Sequence, residues 1–201
     1  MRLAGAELLP YDFSDFTDTI QRYIGEVEKL ARDTRDQIVE RNREIDEGVF
    51  LASSDPKKKT VAPVKQAVPE PLDFTALRGG LAALERDAGE YQRAIERAGE
   101  NGGAALARAS LRDANAKLIA VERALTLSDG LPGRPWFRHQ IYAPGFYTGY
   151  GSKTLPGVRE AIEQKQWNTA QEQIARVGKV LENAGEAIRS AASALDRAVT
   201  Q

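Results

Sequence analysis

The single histidine among 201 residues, His139, stands beside Arg138 with no carboxylate or nucleophile at a spacing that would complete a catalytic grouping. The chain has no cysteine, which excludes thiol catalysis, disulfides and thiolate metal sites, and one imidazole cannot make a histidine-rich zinc centre. Acidic residues are spread along stretches where a basic residue three or four positions away can pair with each, and none forms an acid/base or metal set. No catalytic residue and no cofactor or metal ligand is therefore assigned. His139 is expected to make a structural hydrogen bond within its own segment.

That segment is the informative part. SDGLPGRPWFRHQIYAPGFYTGYGSKTL, residues 128–155, holds Trp136, Phe137, Tyr142, Phe146, Tyr147 and Tyr150, six of the 14 aromatic side chains, with three prolines and five glycines. Such a stretch cannot be a regular helix, and a loop this long in a compact domain usually has a function. Three readings compete. The rings pack on the end of the chain's own fold with Arg134, Arg138 and His139 on the rim. Alternatively they stack on nucleic acid while Arg134, Arg138, His139 and Lys153 meet phosphates. In the third, Trp136, Phe137, Arg138, His139, Tyr142, Phe146 and Tyr147 form a docking loop for another protein surface. Four cations are too few for stable polyanion binding at ordinary salt. A net charge of −1 adds no field, so no nucleic-acid partner is expected.

The elements that must position this loop are helical. Thirty Ala and 18 Leu outweigh 11 Val and 10 Ile, and a chain of this length can bury a core without staples. The first helix opens near Asp12 or Ser14 and carries Phe13, Phe16, Ile20, Tyr23, Ile24, Val27 and Leu30 on one face, continuing more thinly through Ile38, Val39 and Ile45. Phe74, Leu77, Leu81, Leu84, Ala88, Tyr91, Ile95 and Ala98 make a 3-4 seam; Ala107, Leu111, Ala114, Leu118, Val121 and Leu125 make another. Asn101-Gly102-Gly103 between them should fold the second helix back antiparallel. Gly79, Gly80 and Gly89 each cost about 1 kcal/mol inside a helix and mark a close approach or a kink. Pro156 suits the first turn of a short helix, and a last helix presents Ala170, Ile174, Val177, Leu181, Ala184, Ile188, Ala191 and Leu195.

The expected fold is all-α: one domain, four-helix-bundle-like, with one extra short helix and the long aromatic loop. Helices are placed at about 12–47, 73–99, 103–127, 156–165 and 167–199, with a Pro-rich linker at 48–72. The run Lys57-Lys58-Lys59 in that linker reads as a solvated stretch. No apolar run nears the ~18–20 residues of a membrane span, so no direct membrane contact is expected. The opening MRLAGAELLP, with Glu7 and Pro10, does not read as a targeting segment.

LPGRPWFRHQIYAPGFYTGYGSKTLPGVREAI, from Leu131 to Ile162, resembles the C-terminal segment of the glutamate carboxypeptidase II family, the N-acetylated alpha-linked acidic dipeptidases. The opening RLAGAELLPYDFSDFTDTIQRYIGEV looks like the start of the same helical domain, which the transferrin receptor shares. The resemblance runs in order over the chain and is least convincing in the linker. It implies a piece of a two-zinc peptidase acting on small acidic peptides, exported or membrane-anchored, whose metal ligands all lie in an upstream peptidase domain. The implied partners are that missing domain and a second copy, since the family's helical domain builds a homodimer and its loop reaches the substrate pocket. A Lys-Tyr pair there binds the carboxylates of a C-terminal glutamate; alignment puts the tyrosine at Tyr150 and Gly149 in the lysine's place. Losing the ammonium forfeits a charge-assisted bond of roughly 1.5–3 kcal/mol, and Lys153 is the nearest possible substitute. The alternative is an autonomous helical interaction module whose aromatic loop binds an unrelated protein.

Overall fold

The computed structural model describes residues 8–52, 61, 63–100, 108–147, 149 and 151–199. Four long helices, α1 (Ser14–Asp46), α3 (Thr75–Glu100), α4 (Arg108–Ala124) and α6 (Trp167–Val199), are joined by the one-turn α2 (Val49–Ala52) and the short α5 (Pro156–Glu163). A small antiparallel pair, β1 (Tyr142–Pro144) and β2 (Ser152–Thr154), interrupts the aromatic segment. The architecture is the expected all-α bundle with an extra short helix. The Asn101-Gly102-Gly103 break, Ala107 and the Lys57-Lys58-Lys59 run lie outside the described residues.

Seam residues fill the core. Leu77, Leu84, Leu118 and Tyr91 are fully or almost fully enclosed, as is every residue of the α6 stripe from Ala170 to Leu195. The partner of each seam differs from the expectation, because α6 lies between α3 and α4 and packs against both. Asp73 exchanges two bonds with Gln171 at one end, and Arg97 grips Asp196 at the other, so α3 and α6 run parallel. Asp113–Arg197 and Asp129–Arg176 show that α4 runs antiparallel to α6. Thus α3 and α4 point in opposite directions, as expected, but are bridged by the last helix. Periodicity tells which face is buried, not what covers it.

Small residues set the α3–α6 distance. A Cβ on Gly80 would fall 2.3 Å from the Gly178 carbonyl oxygen, and one on Gly178 would fall 2.4 Å from that of Ala76. Gly80 is therefore the close approach, whereas Gly79 faces open space and Gly89 meets only the Arg93 side chain.

α1 crosses the start of this pair antiparallel to α3. Phe13 meets Tyr91 edge-on at 5.4 Å, and Glu28 binds Arg78 at 2.7 Å. Asp12 accepts from the Ser14 amide, forming a turn just before the helix. Residues 63–73, the continuous described part of the stretch between α2 and α3, lie mostly on the surface and are pinned along α1, whereas Val49–Ala52, placed in the linker from the sequence, forms the helical turn α2. Asn42 donates to the Gln66 carbonyl at 2.7 Å and accepts from its N–H at 2.9 Å, while Arg35 donates to the Pro69 carbonyl.

Candidate functional site

The aromatic segment begins where α4 stops. Leu125 was expected inside the helix, but the Gln140 N–H takes its carbonyl at 3.0 Å, the Leu127 N–H takes that of Arg138, and Thr126 bridges to His139. These bonds divert the backbone from the helix after Ala124. Residues 125–140 thus fold as a closed excursion with a tight tip at Leu131–Arg134. Gly130 (φ +64°) is obligatory at that tip, since a Cβ would sit 2.3 Å from the Pro135 carbonyl oxygen. The β1–β2 hairpin follows, and Leu155 (φ +44°) turns the chain into α5 behind Pro156.

Beneath this cap lies a buried charge pair. Arg134, placed on the rim by sequence reasoning, is only 3% exposed. It donates from Nη2 to Glu160 Oε2 at 2.6 Å and from Nη1 to the Pro144 carbonyl. Glu160 Oε1 accepts from the Phe146 N–H at 2.7 Å. The guanidinium also lies 5.3 Å from the Phe137 ring and 5.6 Å from that of Phe146. One arginine therefore ties the tip, the hairpin and α5 together. Sequence reasoning missed Glu160; its signal was the shared face of Gly157, Glu160 and Ala161, all buried on α5.

The rings stand above this strut. Trp136 is 71% exposed and Tyr147 78%, with Tyr142 and Phe146 about half out; Phe137 is half-buried, while Arg138 is exposed. Trp136 leans on Phe137 (6.2 Å between centroids) and Phe146 on Tyr147 (4.7 Å). Tyr150, given a substrate role by resemblance, lies outside the described residues. Lys153 is occupied: it pairs with Glu163 and is mostly covered.

His139 is used structurally. Its Nδ1 accepts from the Ile141 and Tyr142 N–H groups at 3.2 and 3.3 Å, which places the proton on Nε2, 3.3 Å from Glu122. Burial lowers its pKa, against the opposing pull of Glu122. The same carboxylate accepts from the Tyr142 hydroxyl and raises that phenol's pKa. With Arg134 and Lys153 both engaged within the chain, the phosphate-binding reading loses two of its four cations.

Among the described residues no three His, Cys, Asp or Glu side chains are grouped to hold a metal ion, and no helix is long and apolar enough to cross a membrane. A cleft of about 280 Å³ beside Phe146 and Glu160 is at or below the small end for ligand pockets. Fold and site together define a helical bundle that presents an aromatic cap and no metal centre among its described residues. Residues 72–189 match the transferrin receptor-like dimerisation domain, and the chain belongs to that family. A probable glutamate carboxypeptidase of Arabidopsis thaliana is 43% identical over 81 residues, 37% of this chain and 12% of that protein. A second from the same plant is 22% identical over 188 residues, 93% of this chain and 22% of the relative. An inactive zinc metalloprotease of Schizosaccharomyces pombe is 34% identical over 77 residues, 38% of this chain and 10% of the relative. The chain thus spans less than a quarter of the length of each of these relatives.

Proposed function

We propose that this chain is a non-catalytic protein-interaction module whose aromatic cap docks on another protein surface. One observation carries the reading: Trp136 and Tyr147 remain largely in solvent although the bundle has buried its seams. Large exposed rings on a fixed base are the anchors that protein interfaces use. Replacing Trp136 and Tyr147 by Ala should change stability by less than about 1 kcal/mol and weaken binding to the partner by about thirtyfold or more.

The relatives favour a particular form of this reading. Two of them are described as probable glutamate carboxypeptidases and one as an inactive zinc metalloprotease, which supports a dimerisation domain of a peptidase-type protein, with a peptidase-type domain as the cap's partner and a second copy as another. Tyr150 then borders the substrate pocket, zinc belongs to the partner domain, and the whole protein works outside the cytoplasm. The reading frame ahead of Met1 is the first check. A peptidase-type domain encoded there is produced separately and titrated against the chain carrying Trp167→Phe, with Trp136 fluorescence as readout. A saturable blue shift that disappears in Tyr147→Ala supports the proposal. A folded chain that gives no shift refutes this partner, and light scattering of the chain alone reads self-association.

A further inference from the structure

Away from the cap, exposed aliphatic side chains gather along α1 and the segment that follows it. Val39 on α1, Val49 on α2, and Val61, Val64 and Val68 are all exposed, Val64 at 89%. The segment runs antiparallel to α1: Pro69 is level with Arg35, Gln66 with Asn42, and Lys65 with Asp46. In an extended chain, successive residues turn their N–H and C=O groups to opposite edges. Asn42 occupies the edge used by Gln66, so the opposite edge belongs to Lys65 and Ala67. Among the described residues nothing pairs with the backbone of these two. Pro63 and Pro69 flank them without an N–H, so the free edge is two residues long.

We propose that this edge pairs with the same edge of a second copy, antiparallel about a two-fold axis at Gln66. The run Val64-Lys65-Gln66-Ala67-Val68 suits that operation. Lys65 and the partner's Ala67 exchange both backbone bonds, and symmetry repeats the exchange. Val64 comes opposite the partner's Val68, and Gln66 faces itself in the closer, non-hydrogen-bonded kind of pair. Neighbouring registers fail. An axis at Lys65 sets two ammonium side chains face to face and Ala67 against Pro63; an axis at Ala67 sets Lys65 against Pro69. Lys65 is also neutralised by its own Asp46 at 2.5 Å, so no unpaired cation enters the contact. A contact of this kind closes at two copies. It deepens the self-association part of the proposed function and stands apart from the cap.

The absence of cysteine makes the test clean. In the proposed pair the two Gln66 Cα atoms are about 4.5 Å apart, within disulfide reach. The full chain carrying Gln66→Cys should therefore cross-link under mild oxidation about tenfold or more faster than Asp18→Cys, an exposed control on α1. A mixture of the Lys65→Cys and Ala67→Cys chains should give mixed dimers beyond what either gives alone. Adding Ala67→Pro to Gln66→Cys removes a donor from the free edge and should abolish the advantage while the melting temperature holds. Equal rates for Gln66→Cys and Asp18→Cys overturn the inference. If scattering then still shows a dimer, self-association uses another face and the proposed function stands. A monomer that nonetheless cross-links fast through Gln66→Cys upholds the edge and removes dimerisation as a stable state.

Discussion

Replacing Glu160 by Gln tests whether the cap is held by charge. The substitution keeps the side chain's shape and leaves one oxygen to accept from Phe146, but it strips the counter-charge from Arg134, which is 3% exposed. Removing one member of a buried ion pair costs about 3–5 kcal/mol, because the survivor stays buried without its partner. The amide retains some hydrogen bonding, so a loss near 3 kcal/mol is expected. Against a total stability of about 5–15 kcal/mol the variant still folds. For a chain of this size it should melt roughly 6–12 °C lower. Glu182→Gln on α6 is the control: its pair with Lys179 is exposed on both sides, and such pairs contribute about 1 kcal/mol or less. Circular dichroism melts compare the two, and hydrogen exchange at the Phe146 amide locates the damage. If the variants melt within about 1 °C of each other, the buried pair does not hold the cap and the account of its rigidity is wrong.

Three further outcomes follow from other parts of the molecule. Gly178→Ala should destabilise the chain by about 1–3 kcal/mol in urea unfolding, because its Cβ meets the Ala76 carbonyl; Gly79→Ala on the open face of α3 should stabilise it by about 1 kcal/mol. Among the described residues nothing hydrogen-bonds the buried Tyr91 hydroxyl, and burial pushes its pKa to about 12. Absorbance titration should show Tyr91 ionising at about 12, and Tyr91→Phe should remove that step at no cost in stability while the raised Tyr142 phenol still titrates. His139 has its folded pKa lowered by burial, so the unfolded chain binds the extra proton. Stability is full above the unfolded value of about 6.5 and falls as pH drops from there towards the folded pKa; unfolding midpoints over that window should lose this slope in His139→Asn.

How much of this was legible depended on the range of each interaction. The seams from Phe74 to Leu125 were readable because burial repeats every three or four residues, and the structure buries most of those positions. The hub role of α6 was not, since a stripe of Ala, Ile and Leu does not name its neighbour. Arg134 was misplaced for a related reason. A charged residue between two prolines and an aromatic run reads as exposed, and its partner Glu160 lies 26 positions away on another element. The hairpin escaped because three residues per strand give no alternation to see. The linker was read as running from residue 48, but Val49–Ala52 is a helical turn, and the attachment of residues 63–73 rests on one asparagine matching one backbone position across 24 residues. The sequence left open whether the rings pack on the bundle or face outward, because composition does not name what covers a loop; Trp136, Tyr142 and Tyr147 are exposed.

The short helix α5 is the common footing of both exposed surfaces. Glu160 on it holds Arg134 under the cap, Arg159 reaches Glu26 on α1, and Lys165 just beyond it donates to the Gln66 side chain on the pinned segment. Rings on a loop lose ordering entropy when they bind, at about 0.5–1.5 kcal/mol for each side chain that must be immobilised. Here the backbone beneath them is already fixed by buried bonds, so docking has only the outer torsions left to order. The same logic applies to Lys65 and Ala67, whose free edge is held straight by Asn42 before any second copy arrives. Bracing therefore lowers the ordering cost that the proposed contacts at the cap and at the edge would each have to meet.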